Sequence, residues 1–340
     1  MTTKTALILA GAVAKGAFEA GVLDVLSPHV ERLGITRIIG ASAGALNASL
    51  FSVAIRTRSE SRVAKSVVDL WSDAATWRNV VDLNLRDIWT RTGLATADRV
   101  LPLMRRAVEG LSSPEPRSVA VTLVVTALAG QTKLLQGQPA TTFEGGVTFA
   151  DSELDDPAAR ERLLQVALAS AAFPVLFAPV TVPGVGPCID GGAVNNTPIG
   201  LALDESSVSR VVVVSPEPLR ITPPEPLAGL NLLGHIAEIL INERIFRDLH
   251  TAESVNGYLE KLDALGAEGV SADVIERVKG VFGWRPLEIV QIRPEKTLSG
   301  NAFEAFGSHE LRQEYVDAGR AAAREQLGKL VGDVAARSHG

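Results

Sequence analysis

Residues 37–48 have the sequence RIIGASAGALNA, which predicts a short strand, a sharp turn and a helix in immediate succession. Arg37 to Ile39 form the predicted strand, and the small residues after the turn form the predicted helix. Gly40 and Gly44 let the chain bend around Ser42, as in the G-x-S-x-G elbow that holds a nucleophilic serine above a sheet. The stretch therefore predicts an α/β fold with a reactive serine at the end of a strand.

The residues before this elbow have the same order of strand, loop and helix. Residues 6–10 are an apolar run typical of a strand, and residues 16–26 carry apolar side chains at helical spacing until Pro28. Two strands joined through a helix are expected to pair in parallel through a right-handed crossover. The remaining predicted strands are residues 118–128, with 133–136 as an antiparallel neighbour, 211–214 and 287–292, and the remaining predicted helices are residues 160–170, 227–249 and 310–330.

These elements predict a three-layer α/β fold with a central, mainly parallel sheet flanked by helices. With 340 residues, 46% hydrophobic and 21% charged, the chain is long and apolar enough for one large core. We expect a single domain over residues 1–340, with a core at 5–215 and a helical extension and final strand at 216–330. The proline-rich residues 216–226 are the expected excursion from this fold.

Charge and cysteine content exclude several classes of function. A formal net charge of -6 gives nucleic acid no electrostatic reason to bind. Cys188 is the only cysteine, so no disulfide within the chain can form, and neither an all-cysteine zinc site nor a zinc finger with two cysteines and two histidines can be built. No apolar run is long enough to span a bilayer, and the run after Lys4 that loosely imitates a signal peptide is interrupted by Gly11. We expect a cytoplasmic protein, with peripheral membrane contact left open.

A serine hydroxyl needs a base to take its proton, and Asp190 is the strongest candidate. It ends a short apolar segment and is followed by Gly191 and Gly192, which allow close backbone approach. An ordinary Asp-Gly turn is the alternative interpretation. Among the five histidines, only His309 is placed where a Ser-Asp-His triad could use it, because the others fall on or beside predicted helices or in the tail.

The loop between the first strand and the first helix is the candidate oxyanion hole. Its backbone N–H groups, backed by a helix dipole, can bind the negative oxygen that forms when an ester carbonyl is attacked. A dinucleotide-binding loop is disfavoured because Val13 stands where G-x-G-x-x-G needs its second glycine. Lys15 could hold anionic head groups, hold the loop, or form a surface salt bridge. The loop consists of Gly11, Ala12, Val13, Ala14, Lys15 and Gly16.

In this order, the three motifs resemble those of the patatin-like phospholipase family, whose members are lipid acyl hydrolases. The resemblance also includes the block at residues 169–174 and the residues that follow the aspartate, 195–198. It implies Ser42 as nucleophile, Asp190 as base and residues 11–16 as oxyanion loop, with a lipid or phospholipid substrate and no metal or cofactor. One departure concerns the loop, where Ala12 and Val13 replace family glycines, and valine adopts positive φ only at a cost.

Two other functions remain open at this point. The chain could be an α/β-hydrolase esterase with a triad of Ser42, an aspartate and His309, or a lipid-binding protein that keeps the fold without catalysis. Discharge of the acyl-enzyme by an alcohol, rather than by water, is also open. The apolar residues 227–249 could line an acyl groove, touch a membrane or pack in the core, and Trp71, Trp77 and Trp89 could form an interfacial lid or ordinary packing.

Overall fold

The computed structural model describes residues 3–11, 13–80, 99–174, 176–203, 207–220, 229–301 and 303–337. The strands of this part of the chain are β1 (Thr5–Ala10), β2 (Ile35–Ala41), β3 (Ala120–Leu135), β4 (Gln138–Phe149), β5 (Val180–Val182), β6 (Gly186–Ile189), β7 (Arg210–Val214) and β8 (Glu288–Ile292). The helices are α1 (Gly16–Leu26), α2 (Val30–Leu33), α3 (Ala43–Arg56), α4 (Glu60–Asp69), α5 (Trp77–Val80), α6 (Val100–Val108), α7 (Pro157–Ser170), α8 (Ile199–Leu203), α9 (Gly229–Ala264), α10 (Ala272–Phe282) and α11 (His309–Arg337).

The strands form one sheet in the order β5-β6-β3-β2-β1-β7-β8, with β4 also paired to β3. The pairs among β3, β2, β1, β7 and β8 are parallel, and the pairs made by β4, β5 and β6 are antiparallel. The predicted α/β fold with a mainly parallel central sheet is thus confirmed. From β1 the sheet grows in one direction through β2 and β3 and in the other direction through β7 and β8. In open α/β sheets, ligands bind beside such a switch point, at the carboxyl ends of the strands.

Helices cover both faces of this sheet. Every residue of β1 and β7 is buried, which explains why both strands read as unbroken apolar runs. Alternate side chains of β1 face two separate cores. Leu7 and Leu9 pack under α1, α3, α7 and α11, whereas Ala6 and Ile8 pack under α8 and α9.

The hairpin of β3 and β4 corrects one prediction. We expected residues 133–136 to pair with the strand before them, but Lys133 to Leu135 continue β3 and the antiparallel partner is β4. The pairing of β3 with β4 is irregular between Thr126 and Gln131. Because this irregularity interrupts the strand pattern, the sequence did not show that β3 continues beyond it. Gln136 and Gly137 then turn with φ of 52° and 78°, the positive values of a two-residue hairpin turn.

Helices α1 and α11 pack closely through glycines. A Cβ added at Gly21 would lie 2.0 Å from the Val316 carbonyl oxygen, and one added at Gly319 would lie 1.9 Å from the Phe18 carbonyl oxygen. Only glycine permits so close an approach of the two backbones. The last helix of the chain thereby supports the helix that follows the candidate oxyanion loop.

Candidate active site

Ser42 occupies a strained turn between β2 and α3. Its φ is 53°, a value that residues with a side chain rarely adopt, and its side chain is buried. The turn is pressed onto β1, since a Cβ at Gly44 would lie 2.2 Å from the Leu9 carbonyl oxygen. The strand-turn-helix geometry of a nucleophile elbow is therefore present at Ser42.

Asp190 lies directly beside this serine. The Ser42 hydroxyl donates a hydrogen bond to Asp190 Oδ2 at 2.6 Å, although the two residues are 148 positions apart. The other carboxylate oxygen, Oδ1, accepts the Gly192 N–H at 2.7 Å, and Thr126 donates to the Asp190 carbonyl oxygen at 2.7 Å. These bonds fix the carboxylate with one oxygen left for the serine.

The Asp190 carboxyl group is almost fully buried, and burial raises its pKa from 3.8 to about 6. The hydrogen bonds from Ser42 and from the Gly192 N–H oppose this rise because they stabilise the carboxylate. A carboxylate with its pKa in this range is a better proton acceptor than an exposed one and is still ionised at neutral pH.

Ser170, at the C-terminal end of α7, is a supporting residue that sequence reasoning missed. Its hydroxyl oxygen accepts the Ser42 backbone N–H at 2.9 Å, and the same hydroxyl donates to the Val124 carbonyl oxygen at 2.5 Å. The elbow is thus tied to β3 by a side chain. The block at residues 169–174 was the signal for this contact, but its sequence alone assigns no role to the serine.

The candidate oxyanion loop lies against the elbow. A Cβ at Gly11 would be 2.4 Å from the Ser42 Cβ, and the Asn196 side chain donates to the Gly11 carbonyl oxygen at 2.9 Å. Val13 adopts the positive φ that its side chain disfavours, at 50°. Such strain persists only where the surroundings impose it, and it is concentrated at functional sites. Ala12 lies outside the described residues.

The C-terminal part of the loop is buried. Ala14, Lys15 and Gly16 are all buried, and Gly16 lies where a Cβ would be 2.5 Å from the ring of Trp71. Lys15 Nζ is 2.8 Å from Glu217 Oε1, with both side chains almost fully buried. Lys15 therefore does not form a surface salt bridge, and of the other roles considered for it, holding the loop fits its buried position best. Glu217 was not predicted.

An apolar pocket opens at Ser42 and Asp190. Its polar members beyond these two are few, and one of them, Asn47, is held by three hydrogen bonds, to the Gly16 carbonyl oxygen, to Glu19 Oε2 and from Trp71 Nε1. Burial raises the pKa of Glu19 well above its usual value. The apolar lining includes Val13, Leu46, Leu50, Val67, Leu70, Trp71, Val80, Met104, Leu168, Phe173, Phe177 and Phe306.

His309, the histidine that a triad was expected to use, does not lie at this site. His309 is exposed, and its Nε2 lies 3.4 Å from Asp73 Oδ1. Asp190 contacts the Ser42 hydroxyl directly, without an imidazole between them. Of the tryptophans, Trp71 forms the pocket wall, Trp77 packs edge-on against Phe306 at 5.1 Å, and Trp89 lies outside the described residues.

Two further properties concern the described residues as a whole. None of their helices combines the length and the apolar character that a membrane crossing needs. No group of three or more histidine, cysteine, aspartate or glutamate side chains among them is arranged to hold a metal ion.

Comparison with known proteins places the chain in a family. The sequence model described as Patatin-like phospholipase matches residues 7–203, more than half of the chain. No curated protein sequence matches the chain.

Similar solved structures include VipD from Legionella pneumophila, at 13% identity and a TM-score of 0.41, where the match covers 98% of this chain and 67% of VipD. The type III effector ExoU is similar at 13% identity and a TM-score of 0.35, with 96% of this chain and 53% of ExoU covered. The heterodimeric ExoU–SpcU complex from Pseudomonas aeruginosa matches at 16% identity and a TM-score of 0.30, over 74% of this chain and 52% of the other. The chain thus spans about two thirds of the length of VipD and about half of ExoU. On the family match over residues 7–203, the chain belongs to the patatin-like phospholipase family.

Proposed function

We propose that this protein hydrolyses fatty acyl esters of lipids through an acyl-enzyme on Ser42, with Asp190 as its only side-chain base. Membership of the patatin-like phospholipase family supports lipid acyl hydrolase activity. The observation that carries the dyad is the 2.6 Å hydrogen bond from the Ser42 hydroxyl to Asp190 Oδ2. The apolar pocket beside the serine suits an acyl chain.

The first half of the reaction acylates the serine. Asp190 accepts the proton of the Ser42 hydroxyl as Oγ attacks the ester carbonyl carbon, and the carbonyl oxygen becomes an oxyanion. Backbone N–H groups of the loop at residues 11–16 stabilise that oxyanion. The C–O bond to the leaving alcohol then breaks, and Asp190 returns the proton to the alcohol oxygen.

The second half releases the fatty acid. Asp190, ionised again, accepts a proton from a water molecule while the water oxygen attacks the acyl carbonyl carbon. Collapse of the second oxyanion breaks the bond to Ser42 Oγ, which takes the proton back from Asp190. An alcohol in place of the water would give transacylation by the same steps.

The oxyanion loop supports this mechanism through its contacts. Gly11 lies against Ser42, and the Asn196 side chain holds the Gly11 carbonyl oxygen, so the loop is fixed next to the nucleophile. Donors that are already in place need no reorganisation when charge develops, and each is worth roughly 3 to 4 kcal/mol.

Labelling with a fluorophosphonate and hydrolysis of a short-chain nitrophenyl ester test the proposal together. We expect one label per chain on Ser42 and loss of both signals in Ser42→Ala. Ser52→Ala is the matched control, because Ser52 is a buried serine of α3, the helix that follows Ser42, and its hydroxyl donates to the Ser49 carbonyl oxygen of that helix. Wild-type hydrolysis by Ser42→Ala would remove the mechanism.

Two alternatives give different results in the same assays. A triad enzyme would lose activity in His309→Ala, whereas the dyad keeps it, because His309 is exposed and pairs with Asp73. A lipid-binding protein without catalysis would show no label on Ser42 even at high probe concentration. Hydrolysis of a phospholipid panel by wild type, compared with Ser42→Ala, then identifies the substrate.

A further inference from the structure

Two segments extend beyond the carboxyl edge of the sheet, where Ser42 lies. In the β3–β4 hairpin, Val124 pairs with Ala41 at the end of β2, and Gly146 is the β4 partner of Val124. The hairpin continues from Gly146 back to Gln138, eight more residues or roughly 25 Å along the strand. Its tip therefore projects from the edge that carries the nucleophile.

The N-terminal half of α9 extends from the same edge. Asn256 exchanges two hydrogen bonds with Leu287, just before β8 begins, so this part of α9 lies at the amino edge of the sheet. Helix α9 lies between β7 and β8 in the chain and runs alongside the sheet from its carboxyl edge to its amino edge. A five-residue strand is about 16 Å long, and a helix covers this distance in about 11 residues. It thus passes the carboxyl edge near residue 245, and residues 229–244 lie beyond that edge.

Both extensions expose large apolar side chains. At the hairpin tip, Leu134 is 74% exposed and Leu135 is 67% exposed, and Phe143 is exposed on β4. On α9 the exposed residues recur at helical spacing. We name this set the apolar rim, which consists of Leu134, Leu135, Phe143, Leu232, Ile236 and Ile239.

The low charge of these segments favours a lipid surface as the occupant. Lys133 is the only charged residue in residues 127–143, and Glu238 is the only one in residues 229–239. Exposed leucines and isoleucines among so few charges suit the boundary between the head groups and the acyl chains of a bilayer. None of the described helices is long and apolar enough to cross a membrane.

We propose that the apolar rim docks the protein on the surface of a lipid bilayer, with the Ser42 pocket facing the membrane. The proposal rests on the proposed function, because docking in this orientation brings a lipid ester to the pocket without the ester crossing water. It also explains why apolar side chains are exposed on two separate elements at one edge of the sheet.

Co-sedimentation with vesicles of phosphatidylcholine and a minority of phosphatidylglycerol tests the docking. The protein carries Ser42→Ala so that the lipid is not consumed. Two double variants remove the rim, Leu134→Ser with Leu135→Ser and, separately, Ile236→Ser with Ile239→Ser. The matched control is Val274→Ser with Val281→Ser, two exposed valines of α10 toward the opposite edge.

We expect each rim variant to lower the vesicle partition coefficient at least about tenfold, since burying one leucine contributes this much or more. The control should stay within about twofold of the parent. Thermal melts of all variants check that they fold. Wild-type partitioning by both rim variants overturns the proposal, and so does a dimer in light scattering that the rim variants abolish, because the rim would then cover a second copy.

The failure of docking and the failure of the proposed function give different results. If Ser42 is not catalytic, wild type does not hydrolyse the soluble ester, while rim-dependent vesicle binding is still measured. If docking is wrong, the soluble ester is hydrolysed and vesicle binding does not depend on the rim.

Discussion

Lys15 and Glu217 form a buried ion pair that joins the oxyanion loop to the segment after β7, with 2.8 Å between Nζ and Oε1. Arg293 contributes a second positive charge near Glu217 and donates to its backbone carbonyl oxygen. The pair lies behind the loop rather than in the pocket. We therefore expect the pair to influence the proposed catalysis only through the position of the loop.

Breaking this pair should destabilise the protein strongly. Lys15→Met leaves the Glu217 carboxylate buried without its lysine, and loss of one partner of a buried pair costs about 3 to 5 kcal/mol. Urea unfolding measures the change. Arg105→Met is the control, because the Arg105–Glu161 pair is exposed to solvent and such pairs contribute little to stability. Equal losses in the two variants would show that burial of the Lys15 pair has no special effect.

The ester hydrolase activity should depend on ionisation of Asp190. Because the pKa of Asp190 is raised to about 6, kcat/KM should rise with pH through this value and level off above it. A profile measured from about pH 4 to about pH 8 shows this limb. His309→Ala should retain it unchanged. If the rise of kcat/KM with pH disappeared in this variant, the base would be His309, and the dyad would be contradicted.

Replacing Asp190, the proposed base, should stabilise the fold at neutral pH. A carboxyl group with pKa 3.8 when unfolded and about 6 when folded favours folding below the lower value, and this advantage is lost as pH rises through the higher one. Asp190→Asn avoids the free-energy cost of burying an ionised carboxylate, which is at most about 3 kcal/mol. Thermal melts should show Asp190→Asn to be more stable than wild type above pH 6, with the difference declining toward pH 4. A difference that grows on acidification would refute the buried, destabilising carboxylate.

A methyl group at Gly11 should displace the oxyanion loop. The Cβ of Gly11→Ala would lie 2.4 Å from the Ser42 Cβ and 2.5 Å from the Ala41 carbonyl oxygen, so the loop must move. We expect about a hundredfold loss of kcat, comparable to losing one oxyanion donor. Gly257→Ala is the control, because no atom lies within 4 Å of its added Cβ. Full activity in Gly11→Ala would show that the loop takes no part in catalysis.

Local patterns predicted those parts of the fold that depend on nearby residues. The apolar runs of β1 and β7 and the helical spacing of α1 follow from burial on one or both faces, and the structure has these elements within one residue of the prediction. The prediction of the hairpin was wrong because the irregularity between Thr126 and Gln131 interrupts the strand pattern. The assignment of the whole chain to one domain stays a prediction.

The supporting residues of the site were beyond sequence reasoning for a different reason. Ser170, Asn196 and Glu217 each contact a site residue that is far away in the sequence, at separations of 128, 185 and 202 positions. No periodicity encodes such a contact, and serine, asparagine and glutamate are common elsewhere as surface residues. The motifs identified Ser42, Asp190 and the loop as candidates, whereas the hydrogen bonds that hold these residues together required coordinates.

The glycine contact between α1 and α11 also has a consequence for the order of folding events. The two helices are far apart in the sequence, yet their backbones touch at Gly21 and Gly319. The entropy of closing so long a loop must be overcome before such a contact is formed, so distant contacts tend to form late. We therefore expect α1, and with it the candidate loop that precedes α1, to reach its final position only after α11 has docked.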